Sequence, residues 1–188
     1  QAGTVTISGG EVYGVTGGVQ MCAGTLNVTG GTISATGNGD VSGKTGDGSI
    51  PDGAAVSIVN RAYPAGAPTM TISGGTFTSA AGVGAVQAYG WKNNSQQTWD
   101  KPNAAVSGGT FSSAVKEEYC ATGYIPTANA DGTYGVKAGA YVAKVDNVKY
   151  ETLQAAINAA KGGSTVRLLA DVTLTETAVF PAGKKVDL

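Results

Sequence analysis

The side chains best suited to binding a ligand lie close together between Tyr89 and Trp99, in the segment YGWKNNSQQTW. Flat aromatic rings stack on sugars and form the energetic centres of protein interfaces, and neighbouring amides supply hydrogen bonds. We therefore predict a ligand-binding patch here, with a second interpretation in which one or both tryptophans fold back over the domain as a lid. The patch consists of Tyr89, Trp91, Asn93, Asn94, Gln96, Gln97 and Trp99.

A second segment, residues 37–53, is rich in glycine and carries Asp40, Asp47 and Asp52. Carboxylates and backbone carbonyls are the oxygen ligands that calcium prefers, but the spacing matches neither an EF-hand loop nor a nonapeptide repeat. Aspartate and glycine are also the residues of which solvated turns are made, and this is the interpretation we favour. We predict neither a metal nor a cofactor.

A motif that recurs four times must position these segments. Its copies are TVTISGGEV, TLNVTGGTI, TMTISGGTF and AAVSGGTF, which begin at residues 4, 25, 69 and 104. The alternation of apolar and polar residues predicts strands, and the glycine pair predicts a tight corner after each strand. Aligned on that pair, the apolar residues fall in columns, one of which is Ile7, Val28, Ile72 and Val106.

Three short strands per copy, stacked in parallel, predict an all-β fold. The expected architecture is a right-handed parallel β-helix, a solenoid of about three to four coils with apolar columns inside and threonines outside. An antiparallel sandwich also uses short strands and glycine turns, but it explains the columns less well. A C-terminal β-hairpin/α/β segment is expected to follow the coils.

Charged residues replace glycine near residue 115, where we place a domain boundary. Residues 1–115 are predicted to form the coils, and residues 116–139 a capping turn and hairpin with a tip at Asp131 and Gly132. Residues 140–188 are predicted as a β-α-β segment that starts a further repeat unit. Its helix follows from apolar residues on one face of TLQAAINAAK.

The composition limits the choice of partners and compartments. The net charge is −1, so no broad basic surface indicates nucleic acid binding, and no apolar run is long enough to span a bilayer. Cys22 and Cys120 could form a disulfide only if folding brings them together, and without histidine a zinc site is not expected. We expect a monomeric piece of a longer protein, attached to a membrane only through a segment outside this sequence.

The second half of the chain resembles a known type of module. The stretch VSGGTFSSAVKEEYCATGYIPTANADGTYGVKAGAYVAKVDNVKYETLQAAINAAKGGSTVRLLADVTL is similar to junctions in large secreted or wall-anchored surface proteins of gut Firmicutes. Those proteins alternate such junctions with pectate-lyase-like β-helix repeats. The resemblance implies an extracellular, secreted or cell-wall-attached location and brings no catalytic motif. Some surface proteins of such commensals bind host glycans or immunoglobulins.

These observations together predict a non-catalytic adhesion module that contacts a host glycan or a host protein, such as an immunoglobulin. The alternatives are a purely structural stalk and a polysaccharide-processing enzyme of pectate-lyase type. Such an enzyme needs paired carboxylates, or calcium with a basic residue, on one face of the coils. The acidic residues of 1–115 do not occupy matching positions on neighbouring predicted strands, and Arg61 is the one arginine there. We therefore predict that the chain is not an enzyme.

Overall fold

The fold is known from a computed structural model that describes residues 2–37, 50, 52–92 and 95–182, with Gln96 described by its backbone alone. Among these described residues, strands make up 43% and helix 6%. The chain divides into two compact units, Gln1–Ala138 and Gly139–Leu188. No helix in the described part is both long and apolar enough to cross a membrane.

The described part of the first unit consists of strands and a single-turn 3₁₀ helix at Glu117–Tyr119. Its strands are β1 (Thr4–Gly14), β2 (Val19–Met21), β3 (Thr25–Ala35), β4 (Val56–Asn60), β5 (Thr69–Ile72), β6 (Thr76–Thr78), β7 (Val86–Lys92), β8 (Ser95–Gln97), β9 (Ala104–Val106), β10 (Thr110–Phe111), β11 (Tyr124–Ala128) and β12 (Tyr134–Ala138).

These strands form two sheets. In the first sheet the order is β11-β12-β10-β6-β3-β5-β9, and β1 pairs with β3 off this path. Its pairs are parallel except for β10 with β12 and β11 with β12, and the sheet is nearly closed and barrel-like. The second sheet has the order β2-β4-β7-β8, in which β8 alone runs antiparallel to its neighbour.

The predicted right-handed parallel β-helix is therefore wrong, and the solenoid and its repeat architecture with it. Both sheets are mixed, because β8, β11 and β12 pair antiparallel with their neighbours. The four copies of the motif also do not form four equivalent coils. In the first two copies the whole motif is one 11-residue strand, whereas in the last two it is split into two short strands.

The glycine pair explains this difference from the prediction. In β1 and β3 the pair does not turn the chain into a new sheet, but shifts the register between Ser8 and Glu11 as a bulge does. Gly10 and Gly31, the second glycines of these pairs, have φ of 77° and 89°, which a residue with a side chain rarely adopts. Both halves of the motif thus stay in one sheet, where β3 pairs with β5 and then with β6.

The core of the first unit lies where the apolar columns of the two sheets meet. Leu26 and Met70 pair directly and are fully buried, and Phe77 and Phe111 stack with ring centroids 4.8 Å apart. The second sheet contributes further buried residues, among them Val56, Ile58 and Val86. At the end of the first sheet, the hairpin of β11 and β12 pairs with β10 through β12. The turn between β11 and β12 contains Asp131 and Gly132, where the sequence predicted the hairpin tip.

The second unit, as far as the structure describes it, has a small sheet and one helix. Its strands are β13 (Ala143–Val145), β14 (Val148–Tyr150) and β15 (Val166–Leu168), in the order β14-β13-β15, and both pairs are antiparallel. Helix α1 (Leu153–Ala159) begins after Thr152, whose side chain accepts a hydrogen bond from the Ala155 amide. The helix buries Leu153, Ala156 and Ile157 in a separate core with Val145 and Val166.

Candidate functional site

The hairpin of β7 and β8 positions the predicted aromatic patch. Tyr89 and Trp91 lie on β7, Gln97 ends β8, and Trp99 follows two residues later. The register pairs Gly90 with Gln97, which fixes the residues of both strands against one another. Asn93 and Asn94 lie outside the described residues, and so does the side chain of Gln96.

Trp91 is buried rather than presented to solvent. Its side chain is 7% exposed and packs with Ile50 and Val59 in a small cluster of apolar side chains. The guanidinium carbon of Arg61 lies 5.9 Å from the centre of the Trp91 ring, as in a cation–π contact. Trp91 therefore corresponds to the lid that the second interpretation allowed, and its role here is packing.

Trp99 and Tyr89 instead line a groove, which we call the aromatic groove. Its volume is about 320 Å³, close to the lower limit of roughly 300 Å³ for ligand pockets. Both side chains are half-buried, and Trp99 also packs against the main core. The groove is lined by Gln87, Ala88, Tyr89, Gln97, Thr98, Trp99, Lys116, Glu118 and Tyr119.

The ring of Tyr89 is held in place by a buried carboxylate. Its hydroxyl donates a hydrogen bond to Oδ2 of Asp52, and Oδ1 of Asp52 accepts one at 2.9 Å from the Ala54 amide. Asp52 is 2% exposed, and burial raises its pKa although these hydrogen bonds favour the carboxylate. Burial and the hydrogen bond to Asp52 also raise the pKa of Tyr89, so its hydroxyl stays protonated and remains the donor.

The 3₁₀ helix supplies the charged side of the groove. Lys116 Nζ lies 3.7 Å from a carboxylate oxygen of Glu118 and 5.3 Å from the centre of the Tyr119 ring. Partial burial opposes the charge on Lys116, but its hydrogen bond to Tyr119 and the nearby Glu118 outweigh this, so its pKa is raised. The groove thus carries one positive and one negative group beside uncharged amides.

The sequence did not indicate that Gln87, Lys116, Glu118 and Tyr119 belong to this site. It predicted a capping turn at the start of residues 116–139, but nothing in the local pattern placed that turn beside β7. The contact follows from a single bridge between Val106 and Cys120, which aligns the segment after the 3₁₀ helix with β9. Such a long-range pairing has no signal in the spacing of the residues themselves.

The predicted calcium segment and the cysteines can be described only in part. Asp40 and Asp47 lie outside the described residues, and both oxygens of Asp52 are engaged by Tyr89 and Ala54. Within the described ranges, no group of three or more histidine, cysteine, aspartate or glutamate side chains is placed to hold a metal ion. Both cysteines are thiols, and burial together with Glu117 raises the pKa of Cys120 to about 11.

A search of protein-family models, of curated proteins and of solved structures found no match to this chain.

Proposed function

We propose that this protein is a non-catalytic carbohydrate-binding module of a bacterial surface protein, and that it holds a saccharide in the aromatic groove. The observation that carries the proposal is the position of Tyr89 and Trp99 at a groove that the amide side chains of Gln87 and Gln97 also line. Aromatic faces pack against the C–H faces of a sugar ring. Amide groups exchange hydrogen bonds with its hydroxyls.

The charges of the groove favour a neutral saccharide. Lys116 and Glu118 lie within ion-pair distance of one another, so the groove has no unbalanced charge to attract an anionic ligand. The same two groups can donate to and accept from hydroxyls. An uncharged hexose or a short neutral oligosaccharide matches this set of donors and acceptors.

The size of the groove favours a saccharide over a host protein. A standard protein interface covers roughly 800 Å² on each partner and is centred on a well-packed aromatic anchor. The aromatic groove is a concave site of about 320 Å³, which suits a small ligand. Trp91, the large side chain that could have served as an anchor, is buried beneath its neighbours.

The carboxylates near the groove favour binding without hydrolysis. Glycosidases place two carboxyl groups on either side of one glycosidic bond. Among the residues that line the groove, Glu118 is the carboxylate, and it lies beside Lys116. Asp52 lies behind Tyr89, where both of its oxygens already accept hydrogen bonds.

The cellular setting of the proposal rests on the sequence resemblance described above. It suggests a secreted or wall-attached protein of a gut Firmicute, in which the module contacts host or dietary glycans. An immunoglobulin or another host protein is the competing ligand, and the experiment below includes it.

The test is a screen of the purified protein against immobilised neutral and acidic oligosaccharides, with immunoglobulins and mucosal proteins in parallel. Trp99→Ala removes a groove wall, and Tyr13→Ala serves as the matched control, because Tyr13 is an exposed aromatic residue on β1 outside the groove. We expect neutral saccharides to bind the wild type and Tyr13→Ala. We expect Trp99→Ala to bind about tenfold more weakly or not at all.

Three results would contradict the proposal. One is binding to a protein ligand alone, and another is saccharide binding that Trp99→Ala leaves unchanged while its fold is intact. The third is release of reducing sugar from a bound oligosaccharide, because this would show that the module is an enzyme.

A further inference from the structure

The strand β1 (Thr4–Gly14) forms an open edge of the first sheet. It pairs with β3 on one side, and in the described part of the chain no strand pairs with its other side. An 11-residue strand at an edge presents a row of backbone N–H and C=O groups that can pair with another extended chain. This edge is remote in sequence from the aromatic groove and serves no part of the function proposed above.

The apolar columns of the first sheet are incomplete at β1. Val5 is 43% exposed, whereas Leu26 and Met70 in the same column are fully buried. Val12 is half-buried, whereas Ile33 in its column is fully buried. Each column thus continues to β1 with an apolar residue. On β1, however, no further described strand covers that residue, whereas a neighbouring strand covers its counterparts inside the sheet.

The first glycine of each motif gives an independent indication of what lies against this edge. A Cβ on Gly30 would come within 2.6 Å of the Ser8 carbonyl oxygen, and one on Gly74 within 2.5 Å of the Thr29 oxygen. Gly108 shows the same approach, to the Ser73 oxygen at 2.3 Å. In each case the preceding motif places the carbonyl of its serine or threonine in the space that the missing side chain leaves.

Gly9 occupies the same position in β1, but nothing described lies within 4 Å of the Cβ it lacks. The backbone pairing within this chain therefore does not require glycine at position 9. Its φ is not in the left-handed region either, since Gly10 and not Gly9 has the positive φ of this pair. The space above Gly9 has the shape that a serine or threonine carbonyl fills in the three other copies.

We propose that β1 is a strand-addition site for an extended segment of another polypeptide. That segment has the pattern of the motif, with serine or threonine directly before a glycine pair, and it adds parallel to β1. Its serine carbonyl occupies the space above Gly9, and its apolar residues cover Val5, Ile7 and Val12. The pairing repeats the geometry that joins β1 to β3.

Glu11 adds selectivity to this site. The other three copies of the motif have a threonine at this position, and these threonines, Thr32, Thr76 and Thr110, lie in register with Glu11 across the sheet. Directly opposed side chains on neighbouring strands interact, and like charges there are destabilising. The added segment should therefore carry a neutral or basic residue opposite Glu11 and should be rejected when that residue is acidic.

The test uses fluorescently labelled peptides and the whole chain. The first peptide has the sequence of residues 69–77, TMTISGGTF, and two others carry Thr76→Lys or Thr76→Glu. We expect the lysine peptide to bind more tightly than the threonine peptide, and the glutamate peptide more weakly than both. Bound peptide should slow hydrogen exchange of amides on β1, measured by mass spectrometry after exchange.

The decisive variant is Gly9→Ala. Because no described atom lies near the missing Cβ, the variant should fold with unchanged stability, yet its methyl group should collide with the carbonyl of an added strand. We expect the lysine peptide to bind Gly9→Ala about tenfold more weakly than the wild type, or not measurably. Thermal unfolding of the variant verifies that the fold is intact.

Four outcomes would overturn the proposal. They are no binding of any peptide, equal binding of the lysine and glutamate peptides, unchanged binding to Gly9→Ala, and protection of β1 in peptide-free samples that grows with protein concentration. The last would show that a second copy of this chain is the occupant.

Discussion

At the scale of single residues, the pair formed by Tyr89 and Asp52 connects the aromatic groove to the interior. Removing the Tyr89 hydroxyl leaves the buried carboxylate with one hydrogen bond fewer. We therefore expect Tyr89→Phe to lower the free energy of unfolding at neutral pH by about 1–3 kcal/mol, as measured by urea denaturation. Tyr13→Phe is the control and should change it little, and equal effects of the two substitutions would contradict this account.

The same pair predicts how stability depends on pH. The pKa of Asp52 is raised above its unfolded value of 3.8, so the folded protein binds a proton more tightly than the unfolded chain does. The stability that this group contributes is present below pH 3.8 and is lost as the pH rises through its folded pKa. Asp52→Asn, which cannot ionise, should therefore show a smaller fall of the unfolding free energy with rising pH in this window.

Asp131→Asn provides the opposite case for the same measurement. Hydrogen bonds from Thr133 lower the pKa of Asp131 below 3.8, so its contribution is present above that pH and is lost as the pH falls through the lowered pKa. Asp131→Asn should therefore show a smaller loss of unfolding free energy than the wild type as the pH falls in the acid range. If both substitutions change the pH dependence with the same sign, the assignment of these two groups is wrong.

The two tryptophans should differ in their effect on stability. Trp91 is buried, so Trp91→Ala should cost about 3–5 kcal/mol of unfolding free energy. Trp99 is half-buried at the groove, and Trp99→Ala should cost clearly less. Chemical denaturation of both variants checks this order, and a larger loss for Trp99→Ala would show that Trp99 is the core residue.

Residue types indicated the aromatic groove only in part. The mixture of aromatic and amide side chains directed attention to residues 89–99, and two of the aromatic residues in this range, Tyr89 and Trp99, line the groove. Which tryptophan lines the groove could not be read from the sequence, since it depends on Ile50, Val59 and Arg61, which chain folding places around Trp91.

At the scale of the elements, the glycine pairs are the features on which pairing depends. Gly30→Ala would place a methyl group 2.6 Å from a backbone carbonyl, which cannot move away without breaking the pairing of β1 with β3. We expect it to lower the unfolding free energy by about 1–3 kcal/mol or more, whereas Gly9→Ala should have no such effect. Thermal and urea unfolding of the two variants compare them, and equal stability would contradict the geometry of the pair.

Local turn chemistry made several elements predictable. The hairpin of β11 and β12 and the helix α1 lie where the Asp-Gly pair and the helical spacing indicated them. Strand positions within the motifs also followed from alternation. The sequence could not distinguish a glycine pair that turns a corner from one that forms a bulge, because both require the same backbone freedom.

At the scale of the whole molecule, the predicted architecture was wrong because the glycine pairs were taken as corners between strands rather than as bulges within one sheet. In-register columns arise wherever parallel strands with equal patterns pair, and three-sided coils are only one such arrangement. Antiparallel partners such as β8 and β12 lie outside the motifs, and the columns contain no information about them. The mixed, nearly closed sheet therefore could not be predicted from the sequence.

The two units each have a core of their own, and we expect them to unfold separately. Among the described residues, the second unit buries fewer and smaller side chains than the first, so it should melt at the lower temperature. A fragment of residues 1–138 should fold alone and keep the higher of the two transitions seen in calorimetry. A single transition that disappears in the fragment would show that the units depend on each other.

The most direct test of the aromatic groove as a saccharide site is a titration followed by nuclear magnetic resonance of the two tryptophan indole N–H groups. The chain contains only Trp91 and Trp99, so each signal can be assigned by substitution. A neutral oligosaccharide should shift the Trp99 signal in a saturable manner and leave that of buried Trp91 nearly unchanged. A titration in which bound saccharide shifts Trp91 alone, or neither signal, would contradict the proposed site.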